Sequence, residues 1–317
     1  MKNLKLISFV IPVFNEEETI NNCYDVLISF AKRHSTRYNF EFIFTDNHSS
    51  DKTYELLTSI TQHDSRFAIF RFSRNFGYQN SIQFGIKQTQ GDAVVQFDSD
   101  LQDPIELVER FIELWENGFQ VVYGIRKSRK EGVFITSARR LYYRILNSLS
   151  EYDIPVDAGD FRLCDKVIVN QLKNYEDYDP YIRGFIAYLG YKSIGVPYKR
   201  MKREHGKSKF KFFDLLALAL RGLVNGTLLP LRLLSVFGLF LSLGCMFWGF
   251  SIVFSKVFFS ADWPSGFATL ALLLISSIGL NSLFFGVIGE YIANIQRHSQ
   301  KRPTVALQAI VDRRKKS

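Results

Sequence analysis

The sequence predicts an α/β domain with a mainly parallel sheet, followed by a membrane segment of two helices. Two observations predict this architecture. Within residues 1–209, short apolar runs alternate with segments that have helical spacing, which is typical of a parallel sheet with helices on both faces. After residue 210, two long runs contain no charged residue, and each could cross the ~30 Å core of a bilayer as a helix.

The first four strands are predicted from apolar runs that end at polar residues. These runs are 6–14, 40–46, 67–73 and 92–98. Helical spacing follows each run, at 15–34, 49–63, 80–90 and 104–116. Ser50 or Asp51 is suited to cap the second helix, and Asp103 before Pro104 is suited to cap the fourth. In such sheets ligands bind beyond the carboxyl ends of the strands.

The charge pattern predicts an anionic partner beside a membrane. The formal net charge is +9 and the isoelectric point is near 9.3, and the basic residues gather at 198–211 and in the C-terminal tail. Because they flank the apolar runs, they favour lipid headgroups or a lipid phosphate and argue against nucleic acid. For any single lysine, a purely topological role remains equally open.

The cysteines and histidines predict neither disulfides nor a zinc site. Cys23, Cys164 and Cys245 are far apart and have no metal or redox spacing, so we expect them to be reduced and structural. The five histidines are also scattered along the chain. A structural zinc site is therefore not expected.

The second half of the chain predicts a hairpin in the membrane. The uncharged runs are 233–255 and 267–289, and basic residues on both outer flanks place those flanks in the cytoplasm. The segment 212–232 is either an interfacial helix or an ordinary packing helix. We divide the chain into a catalytic domain (1–209), a juxtamembrane region (210–232), two transmembrane helices (233–289) and a basic cytoplasmic tail (290–317). Glycines such as Gly238 and Gly286 predict helix packing and a homo-oligomer.

Three carboxylates crowd the end of the fourth strand, in "VVQFDSDLQDP". Asp98, Asp100 and Asp103 fall within six positions. The twelve-residue calcium loop is absent, and a glycosidase would take its two acids from separate elements. A D-x-D at a strand end instead suits Mg²⁺ or Mn²⁺, which relieves the repulsion between the acids and binds substrate phosphates.

Six motifs that occur in a fixed order along the chain resemble those of a known family. They are "VIPVFNEEE", "FTDNHSSDKT", "RNFGYQNSIQFGI", "GDAVVQFDSDLQDP", "VVYGIRKSR" and "DAGDFRLCD". Together they resemble the family 2 inverting glycosyltransferases, and more closely the polyprenyl-phosphate glycosyltransferases of the dolichyl-phosphate mannose synthase and bactoprenol glucosyltransferase group. The resemblance covers nearly the whole chain. It implies a nucleotide-sugar-binding fold of the glycosyltransferase A type.

The resemblance implies a donor site at the strand ends. In this site, Pro12, Phe14 and Glu16 are implied to border the nucleotide, and Asp46 and Asn47 to face the base or ribose. Asp98, Asp100 and Gln102 are implied to hold the metal and the diphosphate. Asp100 is also implied to be catalytic. Asn47 departs from the acidic pair common in the family, which leaves the base and the donor sugar open.

The resemblance also implies an acceptor site. Arg126 is implied to be catalytic and, with Arg139 or Arg140, to bind the acceptor phosphate, since an arginine fork suits phosphate. Asp157 is implied to be catalytic, as a base or as an orienting group, although a structural turn at 157–160 explains it equally well. Arg203 and Lys207 are implied to close over the diphosphate.

The function implied is inverting transfer of one sugar, with UDP-glucose as the first choice of donor, to undecaprenyl phosphate at the cytoplasmic face of the inner (plasma) membrane. UDP-galactose, UDP-N-acetylhexosamines and GDP-mannose remain open as donors. A processive polysaccharide synthase is disfavoured because the chain lacks a Q-x-x-R-W segment. A catalytically silent membrane scaffold is the remaining alternative, and the intact acidic motif argues against it.

Overall fold

The computed structural model describes residues 4–126, 158–177, 180–201, 266–300 and 303–314, together with isolated positions between 236 and 258. The chain forms two compact units. The first comprises Met1–Asn147, Glu151–Lys209 and Arg302–Ser317, and the second comprises Ser148–Ser150 and Phe210–Lys301.

Eight strands and seven helices are described. The strands are β1 (Lys5–Val13), β2 (Tyr38–Asp46), β3 (Phe67–Phe72), β4 (Ala93–Gln96), β5 (Val121–Arg126), β6 (Ala158–Asp165), β7 (Ser193–Tyr198) and β8 (Leu307–Asp312). The helices are α1 (Ile20–His34), α2 (Thr53–His63), α3 (Tyr78–Lys87), α4 (Glu106–Glu116), α5 (Lys166–Asn174), α6 (Ile182–Tyr188) and α7 (Phe267–Ser299).

The strands form one mixed sheet, in the order β7-β5-β6-β4-β1-β2-β3-β8. The pairs β1–β2, β1–β4, β2–β3 and β5–β7 are parallel, whereas β6 and β8 run antiparallel to their neighbours. The prediction of a mainly parallel α/β sheet is confirmed. The direction of the strands brings the carboxyl ends of β1 to β5 and β7, and the beginning of β6, to one edge.

Helices cover both faces of this sheet. Side chains of α1, α2 and α4 pack on one face, and side chains of α3, α5 and α6 pack on the other. The first face is rich in phenylalanine, where Phe9 lies 5.5 Å from Phe42 and 5.9 Å from Phe30 between ring centroids. On the second face, a Cβ at Gly85 would meet Val10 Cγ1 at 2.5 Å, so glycine permits α3 to lie close to β1.

The last strand comes from the segment that we expected to be a basic tail. Residues 307–312 pair with β3 as β8, a strand that was not predicted. Beyond it, the Arg314 Nη1 lies 2.7 Å from the Glu41 Oε2, and both side chains are 6% exposed. This buried ion pair ties the C-terminal end of the chain to β2.

The predicted membrane hairpin is not confirmed. Within the part of the chain that the structure describes, no helix is both long enough and apolar enough to cross a membrane. Most of 233–255 lies outside the described residues. The hairpin and the interfacial role of 212–232 stay predictions. Cys23 and Cys164 are free and buried, as expected, while Cys245 lies outside the described residues.

Candidate functional site

The loops at the carboxyl edge of the sheet share an unusual backbone conformation. Positive φ angles occur in the loops that follow four neighbouring strands, at Asn15 (54°), His48 (64°), Gly77 (91°) and Leu101 (52°). Residues other than glycine rarely adopt this left-handed region, and a leucine there is a genuine outlier. Such strain persists only where the surrounding structure holds it, and it is concentrated at functional sites.

The loops after β1 and β2 are joined by hydrogen bonds. The Asn15 N–H donates to Ser49 Oγ at 3.0 Å, and the Asn15 Oδ1 accepts from the Ser50 N–H at 2.8 Å. The Glu16 N–H donates to Thr53 Oγ1 at 2.8 Å. Because these contacts hold the predicted start of the first helix in a turn, α1 begins only at Ile20.

The predicted nucleotide residues lie at or beside the ends of β1 and β2. Pro12 lies in β1 and Phe14, 39% exposed, directly follows that strand. Asp46 is fully buried; its Oδ1 accepts from the Ser49 N–H at 2.9 Å, and its Oδ2 lies 3.5 Å from Arg71 Nη1. Arg71 therefore balances the charge of this buried acid.

Asn47 has a structural contact that the sequence did not predict. Its Oδ1 accepts from the Phe76 N–H at 2.8 Å. This bond fixes the loop after β3 against the loop after β2. The amide oxygen of Asn47 therefore helps to position the neighbouring loop.

Asp98 lies just beyond β4 among other acids. Its Oδ1 accepts from Tyr78 Oη at 2.6 Å. Burial raises the pKa of Asp98 to about 7; the hydrogen bond from Tyr78 opposes this shift, and the charges of Asp100 and Asp103 add to it. The ionised acids repel one another, and a bound cation would relieve this repulsion. The loop after β4 therefore favours binding of a cation.

Asp100 faces an arginine from the other end of the domain sequence. Its Oδ1 accepts from the Gln102 N–H at 3.2 Å, and its Oδ2 lies 3.8 Å from Arg200 Nη2. The strained Leu101 stands between Asp100 and Gln102. Arg200 follows β7 directly, so the sheet brings a cation to the acidic loop.

The prediction that Asp103 caps the fourth helix is wrong. The helix begins at Glu106, its N-cap is Ile105, and no side chain caps it. Asp103 is instead buried, and its Oδ1 accepts from the Tyr198 hydroxyl and lies 3.4 Å from Arg200 Nε. Long-range contacts have overridden the local capping pattern.

Asp103 also holds the predicted acceptor arginine. The Arg126 Nη2 lies 3.8 Å from the Asp103 Oδ2, and the Arg126 Nε donates to Tyr198 Oη at 3.2 Å. Two glycines make room for this arrangement. A Cβ at Gly124 would lie 2.6 Å from the Tyr198 ring, and one at Gly159 would lie 3.3 Å from Arg126 Nη2.

The donor set is compatible with a divalent cation, although the residues that the structure describes do not form a complete cage. Among the described residues, no group of three or more His, Cys, Asp or Glu side chains is placed to hold a metal ion. Mg²⁺ commonly takes only one or two protein carboxylates and completes its shell with water and substrate phosphates. Asp98 and Asp100 offer two carboxylates, and Gln102 is a neutral amide nearby in the same loop.

Several predicted residues lie outside the described part of the chain: Arg139, Arg140, Asp157, Arg203 and Lys207. Their roles stay predictions. The sequence did not single out Tyr78, Tyr198, Arg71 or Arg200 as members of the site. Tyr78 belongs to the third motif and Arg200 to the basic run 198–211, while Arg71 and Tyr198 lie at or near strand ends. None of these local signals places the four side chains beside the acids.

Comparison with known proteins gives consistent matches. The model of the family described as "Glycosyl transferase family 2" matches residues 8–173. An uncharacterized glycosyltransferase, YkcC of Bacillus subtilis (strain 168), is 35% identical over 95% of this chain and 93% of its own length. The bactoprenol glucosyl transferase of Shigella phage SfX is 31% identical over 94% of this chain and 97% of its own length.

Solved structures match at lower similarity. One is the glucosyl-3-phosphoglycerate synthase of Mycobacterium tuberculosis, solved with Mn²⁺, uridine diphosphate and phosphoglyceric acid. It is 19% identical, with a TM-score of 0.48, and the match covers 69% of this chain and 76% of that one.

Proposed function

The chain belongs to glycosyltransferase family 2 and is a glycosyltransferase, and from this premise we propose that it transfers one sugar to a polyprenyl phosphate. The observation that carries this proposal is the pairing of acids with arginines at one edge of the sheet. Asp103 lies 3.8 Å from Arg126 and 3.4 Å from Arg200, and Arg200 also lies 3.8 Å from Asp100. The bactoprenol glucosyl transferases that resemble this chain over nearly its whole length support the acceptor class.

The donor that we propose is UDP-glucose, and the cofactor is Mg²⁺ or Mn²⁺ held by Asp98, Asp100 and Gln102. When bound, the metal would neutralise the diphosphate leaving group. Asp46, Asn47 and the loop after β1 would then border the nucleotide. Other hexose donors remain the alternative, since no described contact selects the base.

The chemistry is a displacement with inversion at the anomeric carbon. An oxygen of the acceptor phosphate forms the new bond to this carbon while the bond to the diphosphate breaks, and the nucleoside diphosphate leaves. Because the phosphate is already ionised near neutral pH, a general base is less necessary than for a sugar hydroxyl. The task of Arg126 is to hold this phosphate in line.

A reconstituted assay tests the proposal. Full-length protein in detergent, with Mn²⁺, undecaprenyl phosphate and radiolabelled UDP-glucose, should form a labelled lipid that mild acid cleaves. Removing the metal with EDTA should stop the reaction, and added Mn²⁺ should restore it. Long polymer without a lipid product would indicate a processive synthase, and nucleotide binding without any transfer would indicate a silent scaffold.

We also propose that the protein acts at the cytoplasmic face of the inner membrane, with both termini in the cytoplasm. The supporting observations are the uncharged run at 267–289 and the exposed apolar side chains of α7, among them Leu270 (61%), Ile278 (65%) and Phe285 (72%). Large exposed apolar surfaces mark interaction sites. If the protein is embedded, alkaline carbonate will leave it in the membrane pellet; release into the supernatant would contradict embedding. A homo-oligomer stays a prediction.

A further inference from the structure

A pair of buried polar side chains interrupts the apolar face of the sheet beneath α3, α5 and α6. On this face Val94 of β4 lies opposite Cys164 of β6, and both belong to the core. Two residues nearer the carboxyl edge, Gln96 lies opposite Arg162. These two are only 4% and 3% exposed, and Asp98 follows directly along the chain.

The side chain of Gln96 has no hydrogen-bond partner among the residues that the structure describes. Within this part of the chain, neither its Nε2 nor its Oε1 makes a hydrogen bond although both atoms are buried, and the same holds for the Arg162 Nε. Each buried unsatisfied polar group costs about 1–3 kcal/mol, and native proteins contain few. Three such atoms on two facing side chains leave hydrogen-bonding capacity for a polar group bound beside them.

One acid, Asp160, lies beside both Arg162 and a second arginine, Arg183. The Asp160 Oδ1 lies 3.5 Å from Arg162 Nη2 and 3.2 Å from Arg183 Nη2. Burial alone would raise the pKa of Asp160, but the two guanidinium groups outweigh it and hold this pKa below its usual value. The cluster therefore contains an ionised acid, two arginines and a neutral amide.

This combination of groups suits hydroxyl groups better than a phosphate. A phosphate only accepts hydrogen bonds, so it would be repelled by Asp160 and by Asp98 close by. Sugar hydroxyls both donate and accept hydrogen bonds. They can therefore donate to the carboxylate, accept from the guanidinium, and do either with the amide. On β5, Tyr123 lies opposite Arg162, and it adds an aromatic ring to the same face.

We propose that Gln96, Arg162, Asp160 and Arg183 form the subsite for the sugar ring of the donor, and that Gln96 contributes to the choice of sugar. This inference rests on the proposed function, because the ring would enter the cluster while its diphosphate lies at Asp98 and Asp100. The acid cluster and the polar pair are adjacent: Asp160 contributes to the electrostatic environment of both Asp98 and Tyr78.

The test replaces Gln96 by leucine, which has a similar size but no polar atoms. Dissociation constants would be measured in Mn²⁺ for UDP, UDP-glucose, UDP-galactose, UDP-N-acetylglucosamine, GDP and GDP-mannose. For the preferred sugar nucleotide, we expect Gln96→Leu to weaken binding about tenfold and to leave the affinity for the free nucleotide diphosphate unchanged. The melting temperature should not fall, since the removed groups make no hydrogen bonds to any residue that the structure describes.

Gln83→Leu is the matched control. Gln83 is also buried in this half of the domain, but its Nε2 donates to the Tyr175 carbonyl at 2.9 Å. We expect this variant to lose stability and to retain the sugar preference. Gln96→Asn, which only shortens the side chain, repeats the binding test if the leucine variant does not fold.

Each outcome separates the subsite from the proposed function. Unchanged sugar preference in both Gln96 variants would overturn the subsite, and the function would stand if the wild type forms the lipid product. If the Gln96 variants lose the sugar preference but the wild type forms no lipid product, the subsite is supported and the proposal of a polyprenyl phosphate acceptor is contradicted. If the wild type binds sugar nucleotides no better than free diphosphates, the subsite is overturned; if it binds neither, the proposed function falls as well.

Discussion

Replacing Asp100 by asparagine is expected to lower the rate of sugar transfer by about 100- to 1000-fold, the range found when one preorganised electrostatic contact is removed from an active site. The substitution keeps the shape of the side chain and an oxygen that can accept from the Gln102 N–H. It removes the negative charge that faces Arg200 at 3.8 Å and that would hold the cation. Transfer would be measured at saturating Mn²⁺, with thermal unfolding measured in parallel.

Asp92→Asn is the matched control for this variant. Asp92 lies at the opposite end of β4, where its Oδ2 accepts from the Leu6 N–H at 3.0 Å, so it shares the chemistry of Asp100 but not its position. We expect nearly normal transfer from Asp92→Asn and an unchanged melting temperature from Asp100→Asn. Full turnover by Asp100→Asn would exclude this acid from the metal site.

The strands of the first half could be predicted because their signals are local. The runs at 6–14, 40–46, 67–73 and 92–98 became β1 to β4 with small changes at their ends. Each run is apolar because helices cover both faces of the sheet. The position of Asp46 and Asp98 at one edge followed from this, since parallel strands end on the same side.

The later strands could not be predicted in the same way. Strand β8 has exposed or half-buried side chains and no continuous apolar run. It exists because β3 offers a free edge, and residues 71 and 308, which meet there, are 237 positions apart. Register between such distant segments is decided by tertiary packing, which a local pattern does not contain.

The site shows the same division between local and distant information. The acids of the D-x-D motif are neighbours in the chain, so their proximity was visible in the sequence. The positive charges beside them come from Arg126, the last residue of β5, and from Arg200, which follows β7. The local patterns did not order these two strands in the sheet. The contact between Asp103 and Tyr198 joins positions 95 residues apart, and nothing near Asp103 indicates it.

Replacing Asp103 by asparagine distinguishes the capping role from the role seen in the structure. Asparagine caps helices about as well as aspartate, so a cap would lose almost nothing. An anchor for Arg126 and Arg200 would lose its charge, and breaking a buried ion pair costs roughly 3–5 kcal/mol. We therefore expect a loss of about 3 kcal/mol in the free energy of unfolding, measured by urea denaturation.

Asp51→Asn is the control for the stability measurement. The Asp51 Oδ1 accepts from the Thr53 N–H at 3.0 Å, a local backbone contact that Asp103 does not have. The prediction that Ser50 or Asp51 caps the second helix is nevertheless wrong, since the N-cap of α2 is Lys52 and no side chain caps it. The loss in Asp51→Asn should be below about 1 kcal/mol. Equal, small losses in both variants would contradict the anchor.

Asp103→Asn should change the kinetics because it weakens the positioning of Arg126. Without the carboxylate, the guanidinium keeps its hydrogen bond to Tyr198 but loses the charge that faces it. The KM for undecaprenyl phosphate should therefore rise about tenfold, while the KM for the nucleotide sugar should change less. Arg126→Ala should raise the same KM. Because Asp103 acts by positioning Arg126, the double variant should bind the lipid phosphate no worse than Arg126→Ala alone. If the two effects multiply, Asp103 acts on the acceptor by another route, and Arg200, its second arginine, becomes the residue to replace next.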